Sequence, residues 1–121
     1  MKKRLVFLVA CLAICLVFAP SVWSRSKTIK IGINAPMTGD IPKVGEGSKF
    51  AGQMWLEDIN KAGGLTVGKK KYKVELIIED NESKAESAVK AATKLIVEDE
   101  VLAIVGPQSS KQAVPAGSVA N

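Results

Sequence analysis

From Thr28 to Ala35 apolar and polar positions alternate. Ile29, Ile31 and Ile33 fall on one side, Lys30, Gly32 and Asn34 on the other. A period of two predicts a β-strand. Pro36-Met37-Thr38-Gly39-Asp40 ends it with turn chemistry. From about Gly45 to Ala62 the period lengthens. Phe50, Ala51, Met54, Trp55, Ile59 and Ala62 recur at three and four, which predicts one apolar helical stripe. Gly63-Gly64 stops that helix, because glycine accepts the left-handed conformation at a helix end.

A second strand is predicted over Tyr72 to Asp80, with Tyr72, Val74, Leu76 and Ile78 on one face. Ile77 on the other face predicts cover from both sides, as in a parallel sheet. Lys69-Lys70-Lys71, after Gly68, reads as an exposed hairpin-like turn. Ser83-x-x-Glu86 reads as a capping box that opens a second helix. Ala85, Ala88, Val89, Ala92, Leu95 and Ile96 make its buried stripe. Glu98-Asp99-Glu100 reads as a solvated loop. Val101 to Val105 is a short apolar strand, and Gly106-Pro107-Gln108-Ser109-Ser110 leads into a third helix. Pro115, five residues on, interrupts that helix's hydrogen bonding.

Strand–helix–strand–helix–strand–helix predicts an α/β fold, a parallel, Rossmann-like sheet with crossover helices. If the strands order two-one-three, the strand Val101 to Val105 lies at an edge. No repeat, low-complexity stretch or linker interrupts residues 25–121.

The first residues follow another logic. Lys2, Lys3 and Arg4 precede an apolar run of 15 residues, Leu5 to Ala19, and then Pro20-Ser21-Val22-Trp23-Ser24. That order is the pattern of a secretory signal peptide, residues 1–24, cleaved between Ser24 and Arg25. The run is shorter than the ~20 residues of a spanning helix. Leu8-Val9-Ala10-Cys11 resembles a lipoprotein cleavage box, but the apolar run continues past Cys11, so a lipid-anchored form is disfavoured.

Cleavage changes the charge argument. Three of the 17 Lys and Arg residues leave with the signal, and 14 face 12 Asp and Glu. The formal charge of +5 is largely a targeting signal and gives no footprint for nucleic acid. Both cysteines, Cys11 and Cys15, leave too, and the chain has no histidine. Residues 25–121 therefore offer no disulfide, no thiolate or imidazole zinc ligand, and no Ser-His or Cys-His pair. No metal site, cofactor or catalytic residue is expected, and the chain does not read as an enzyme.

In open α/β sheets ligands bind beyond the carboxyl ends of the strands. Three segments qualify: Pro36 to Val44, Asp80-Asn81, and Gly106 to Ser110. A helix start carries unpaired N–H groups and partial positive charge. Ser109 and Ser110 there form a seat for a carboxylate, or one of them simply caps the helix. Asp80 is a turn residue or a functional carboxylate. Gly45-Glu46-Gly47 is a poor match to a dinucleotide loop, with Phe50 where a glycine belongs. Trp55 reads as helix core.

Four motifs in register carry a resemblance: Ile31-Gly32-Ile33-Asn34-Ala35-Pro36-Met37-Thr38-Gly39, Asp58-Ile59-Asn60-Lys61-Ala62-Gly63-Gly64-Leu65, Asp80 before a helix, and Ile104-Val105-Gly106-Pro107-Gln108-Ser109-Ser110. Together they resemble the leucine/isoleucine/valine-binding family of periplasmic solute-binding proteins. The resemblance implies a two-lobed type I binding-protein fold, of which residues 25–121 are a truncated part of the N-terminal lobe. It implies capture of a branched-chain amino acid, or a related small amino acid or amide, in the periplasm for an ABC permease in the membrane. An exported sensor or receptor on the same fold is the alternative. It also implies that Ser110, with Ser109 and Gln108 beside it, holds the ligand's α-carboxylate. Some members place an aromatic residue against the ligand after the first strand; the matching position here is Val44.

Overall fold

The computed structural model describes residues 28–120. The proposed signal peptide, its cleavage point at Ser24 and Arg25, and Cys11 lie outside those residues. Seven elements follow in order: β1 (Thr28–Ala35), α1 (Pro42–Lys61), β2 (Leu65–Val67), β3 (Lys70–Asp80), α2 (Ala85–Val97), β4 (Ala103–Val105) and α3 (Ser110–Gly117).

The sheet runs β2-β3-β1-β4. β1 is parallel to both neighbours, with Ile31 opposite Leu76 and Ala103, and Ile33 opposite Ile78 and Val105. The three expected strands thus take the two-one-three order. The ends of β1 and β3 are level, because Ala35 pairs with Asp80. β2 was not expected. It is a three-residue antiparallel partner of β3, joined to it through Gly68 and Lys69, so the lysine run forms a hairpin turn and the start of β3.

Both faces of β1 are covered. A Cβ on Gly32 would sit 3.0 Å from the Leu95 side chain of α2. Neighbouring residues on a strand point to opposite faces. Accordingly Ile33 meets the other layer, where a Cβ on Gly52 of α1 would lie 2.6 Å from Ile33 Cδ1. The face carrying Lys30, Gly32 and Asn34 looks polar in sequence but is the one beneath α2. Asn34 is fully buried.

The α2 stripe falls largely where expected, with Ala88, Ala92 and Leu95 buried and Ala91 joining them. Ala88 and Ala92 meet Ala116 of α3, with Ile104 packed against the cluster. The small side chains let α2 and α3 approach closely.

Three local expectations are corrected. The α1 stripe holds only in part: Ala51 and Trp55 lie with Gly52 on the side over the sheet, whereas Phe50 and Met54 are exposed, and Gly45 packs on the Pro36 carbonyl of the loop after β1. Gly52 lets the helix approach Ile33 and Leu76, so the tightest contact carries no apolar signature. Trp55 is exposed and not core. It lines an apolar cleft of about 480 Å³ with Ile31, Ile33, Ala51, Leu76 and Val105. Ser83 does not cap α2. The N-cap is Lys84, with no side-chain cap bond. Ser83 Oγ donates to Thr38 O at 3.0 Å and accepts from Ile41 N–H at 3.2 Å. Asp99 is not simply solvated. Lys94 bridges it to Glu79 at 3.0 and 2.6 Å, and those hydrogen bonds, Glu79 first, push the Lys94 pKa up.

Candidate functional site at the carboxyl edge of the sheet

Three loops meet beyond the carboxyl ends of the parallel strands: Pro36 to Ile41, Asn81 to Lys84, and Gly106 to Ser109. Their connections are specific. Asp80 Oδ1 accepts the N–H groups of Met37 (2.9 Å), Thr38 (3.1 Å) and Glu82 (2.8 Å). Its Oδ2 accepts the Thr38 hydroxyl at 2.6 Å. Partial burial opposes its charge, but the Thr38 hydroxyl and the three N–H donors outweigh that and hold its pKa below the ordinary value. Asp80 is therefore the clamp between the first two loops, with its oxygens occupied by the chain itself. That is the turn reading of Asp80.

The third loop starts at Gly106, in the left-handed region at φ 97. Any Cβ there would collide with the Asn34 carbonyl oxygen, so only glycine lets the two backbones meet. Gln108 then reaches across to α1, donating from Nε2 to Ser48 Oγ at 2.7 Å. Ser48 donates in turn to Val44 O at 3.0 Å. Val44 lies in the first turn of α1 and is exposed. The structure thus brings Gln108 and Val44 to one rim through Ser48, which sequence reasoning did not single out. A serine inside a helix gives no signal; only the register of the two loops reveals it.

Ser109 is the N-cap of α3 by backbone position, and its carbonyl accepts from Gln112 and Ala113 N–H at 3.0 and 2.8 Å. Its side chain makes no capping bond, so its hydroxyl is not spent on the helix. Ser110 is the first helical residue and is exposed. The first turn of α3 contains no acidic residue and does contain Lys111. Unpaired N–H groups, two hydroxyls and net positive charge make this helix start suited to an anion. Pro115 stays inside α3, which ends two residues later at Gly117. Among the described residues, no cluster of three or more His, Cys, Asp and Glu could hold a metal ion.

A mostly parallel α/β sheet with helices on both faces is the architecture of a type I periplasmic binding-protein lobe. A profile of the periplasmic binding protein family matches residues 28–121. The chain belongs to that family. It is 36% identical over 112 residues to a Leu/Ile/Val-binding protein, BraC3, of Rhizobium johnstonii, covering 93% of this chain and 28% of the relative. It resembles the solved branched-chain amino acid transporter substrate-binding protein LivJ of Streptococcus pneumoniae, a complex with isoleucine. There the TM-score is 0.70 and the identity 32%, over 78% of this chain and 26% of that one. A solute-binding protein of an ABC transporter from Rhodopseudomonas palustris, in complex with 3,4-dihydroxybenzoic acid, matches at TM-score 0.59 and 31% identity. That match covers 77% of this chain and 24% of the other. The chain spans about a quarter of the length of these relatives.

Proposed function

We propose that this chain is the N-terminal part of the solute-binding component of an ABC-type importer. It captures a branched-chain amino acid, or a related small amino acid or amide, in the periplasm and presents it to a membrane permease. The signal peptide of residues 1–24 takes it there. In this reading the protein binds and releases its ligand unchanged, and no cofactor or metal takes part.

The observation that carries the reading is the unspent pair Ser109 and Ser110 at the start of α3, beyond the parallel strands. Ser110 holds the ligand carboxylate through its hydroxyl and N–H, with Ser109 and Gln108 beside it. Val44 contributes an apolar wall. The ligands in the two similar complexes support this assignment, since isoleucine and dihydroxybenzoic acid share a carboxylate and little else. A site common to such relatives would be built for that group, and the residues that choose the rest of the ligand would lie elsewhere.

The test is calorimetric titration of the full-length protein with leucine, isoleucine, valine and 3,4-dihydroxybenzoate. Micromolar binding of a branched-chain amino acid is expected, worth about 8 kcal/mol. Binding of the aromatic acid alone would keep the carboxylate seat and overturn the amino-acid assignment. Binding of none would overturn the reading.

A further inference from the structure

Asn34 is a fully buried carboxamide on the face of β1 beneath α2. Its Nδ2 donates to Ala88 O, in α2, at 2.9 Å. Its Oδ1 accepts from Asn81 Nδ2 at 3.0 Å, and Asn81 is itself fully buried. Asn81 Oδ1 then accepts the Ser83 N–H at 3.0 Å. On its other side the Asn34 carbonyl is the surface against which Gly106 packs. One residue thus touches the second loop, α2 and the root of the third loop. Ala88 in turn joins the Ala92–Ala116 cluster through which α2 holds α3. Ser109 and Ser110 begin α3.

A leucine of similar size would fill this space without burying an amide. It would, however, leave the buried Asn81 Nδ2 without its acceptor, which lowers stability, and it would lose the angles that the amide's hydrogen bonds fix and an apolar contact leaves free. We propose that Asn34 is a positioning residue for the carboxylate seat. Its hydrogen bonds set α2, and through it the start of α3, at a fixed height over the sheet, so that Ser109 and Ser110 are oriented before ligand arrives. This rests on the reading of that helix start as the ligand seat. A preorganised site loses less freedom on binding, so the effect falls on affinity.

The test compares two variants of the full-length protein. Asn34→Leu removes the amide. Leu95→Ala empties a buried site in the same sheet–helix layer with no polar atom involved. Leucine affinity, melting temperature and hydrogen exchange of the segment from Gly106 to Gln112 are measured on both. Asn34→Leu is expected to weaken leucine binding about tenfold and to speed exchange in that segment. Leu95→Ala is expected to lose at least as much melting temperature with neither change. If Asn34→Leu does not fold, Asn34→Asp takes its place. At the pH of the measurement the buried carboxyl either stays ionised and repels Ala88 O, with the same outcomes expected, or takes up a proton and restores the bond. The titration is therefore run at neutral and at high pH. Weakened affinity with rising pH is expected, and pH-independent wild-type affinity would overturn the proposal. Wild-type affinity and exchange in the Asn34 variant would overturn the proposal. So would an affinity loss in both variants that tracks stability. If the wild type binds no amino acid, the functional reading fails, and the exchange comparison still decides the role of Asn34.

Discussion

Gln108 Nε2 stands 2.7 Å from Ser48 Oγ, joining residues 60 apart in sequence. The contact ties the loop that leads to Ser109 and Ser110 to the first turns of α1. It also fixes which end of the Gln108 amide is occupied: the nitrogen faces Ser48, which leaves the oxygen for a donor.

Ser48→Ala removes that tie without touching the proposed seat. A neutral hydrogen bond contributes ~0.5–1.5 kcal/mol, so ligand affinity is expected to fall by about two- to tenfold. The same bond is present without ligand, so the melting temperature should also fall by a few degrees. Titration and thermal melts of the full-length variant check this. Unchanged affinity would show that Gln108 is held by its loop alone.

Asp80→Asn tests the clamp. The amide still accepts at one oxygen, but its nitrogen cannot accept the Thr38 hydroxyl. Hydrogen bonds to a charged group contribute ~1.5–3 kcal/mol, and partial exposure reduces this, so a loss of about 1–2 kcal/mol is expected at neutral pH. The folded pKa is depressed. The stabilisation is therefore complete above the ordinary aspartate value of ~3.9 and is lost as pH falls through the lower folded value. Denaturant melts should show the gap between wild type and variant holding down to about pH 5 and closing below about pH 4. A gap independent of pH would mean that the charge is irrelevant.

Much of this was legible in the sequence, and the failures have physical causes. Period-two runs gave β1 and β3, and the apolar run before Gly106 gave β4, because parallel strands must carry their own burial signal. The Gly63-Gly64 stop held, with both glycines at positive φ. β2 escaped because Leu65-Thr66-Val67 is too short to show a period. The α1 stripe was legible only in part because Gly52, at the tightest contact with the sheet, has no side chain to register. Ser83 has the spacing of a cap, yet its hydroxyl is drawn to the neighbouring loop, and Glu82 and Ser83 both adopt positive φ. The Asn34–Asn81 pair and the Gln108–Ser48 contact depend on strand register, which no local pattern encodes.

The apolar cleft beside α1 predicts how residues 25–121 behave alone. Its lining exposes Trp55 and Val105, next to the β4 edge. A short, uncharged edge of this kind invites pairing with other chains. Expressed alone, the segment is expected to self-associate and to melt without a cooperative transition. Light scattering and calorimetric melts check this. A monomer with a sharp transition would contradict it.

Export makes its own prediction. Protein recovered from the periplasm is expected to begin at Arg25, which intact mass would show directly. A product starting at a lipid-modified Cys11, or an uncleaved Met1, would overturn the assigned cleavage between Ser24 and Arg25.

The central claim is that Ser110 binds a carboxylate rather than serving the helix. Ser110→Ala in the full-length protein, titrated with leucine and melted under the same conditions, tests it most directly. A hydrogen bond to a charged group contributes ~1.5–3 kcal/mol, so affinity is expected to fall by about tenfold to a hundredfold with the melting temperature nearly unchanged. Loss of a helix-capping interaction would instead cost ~0.5–2 kcal/mol of stability. Wild-type affinity together with a lowered melting temperature would contradict the account.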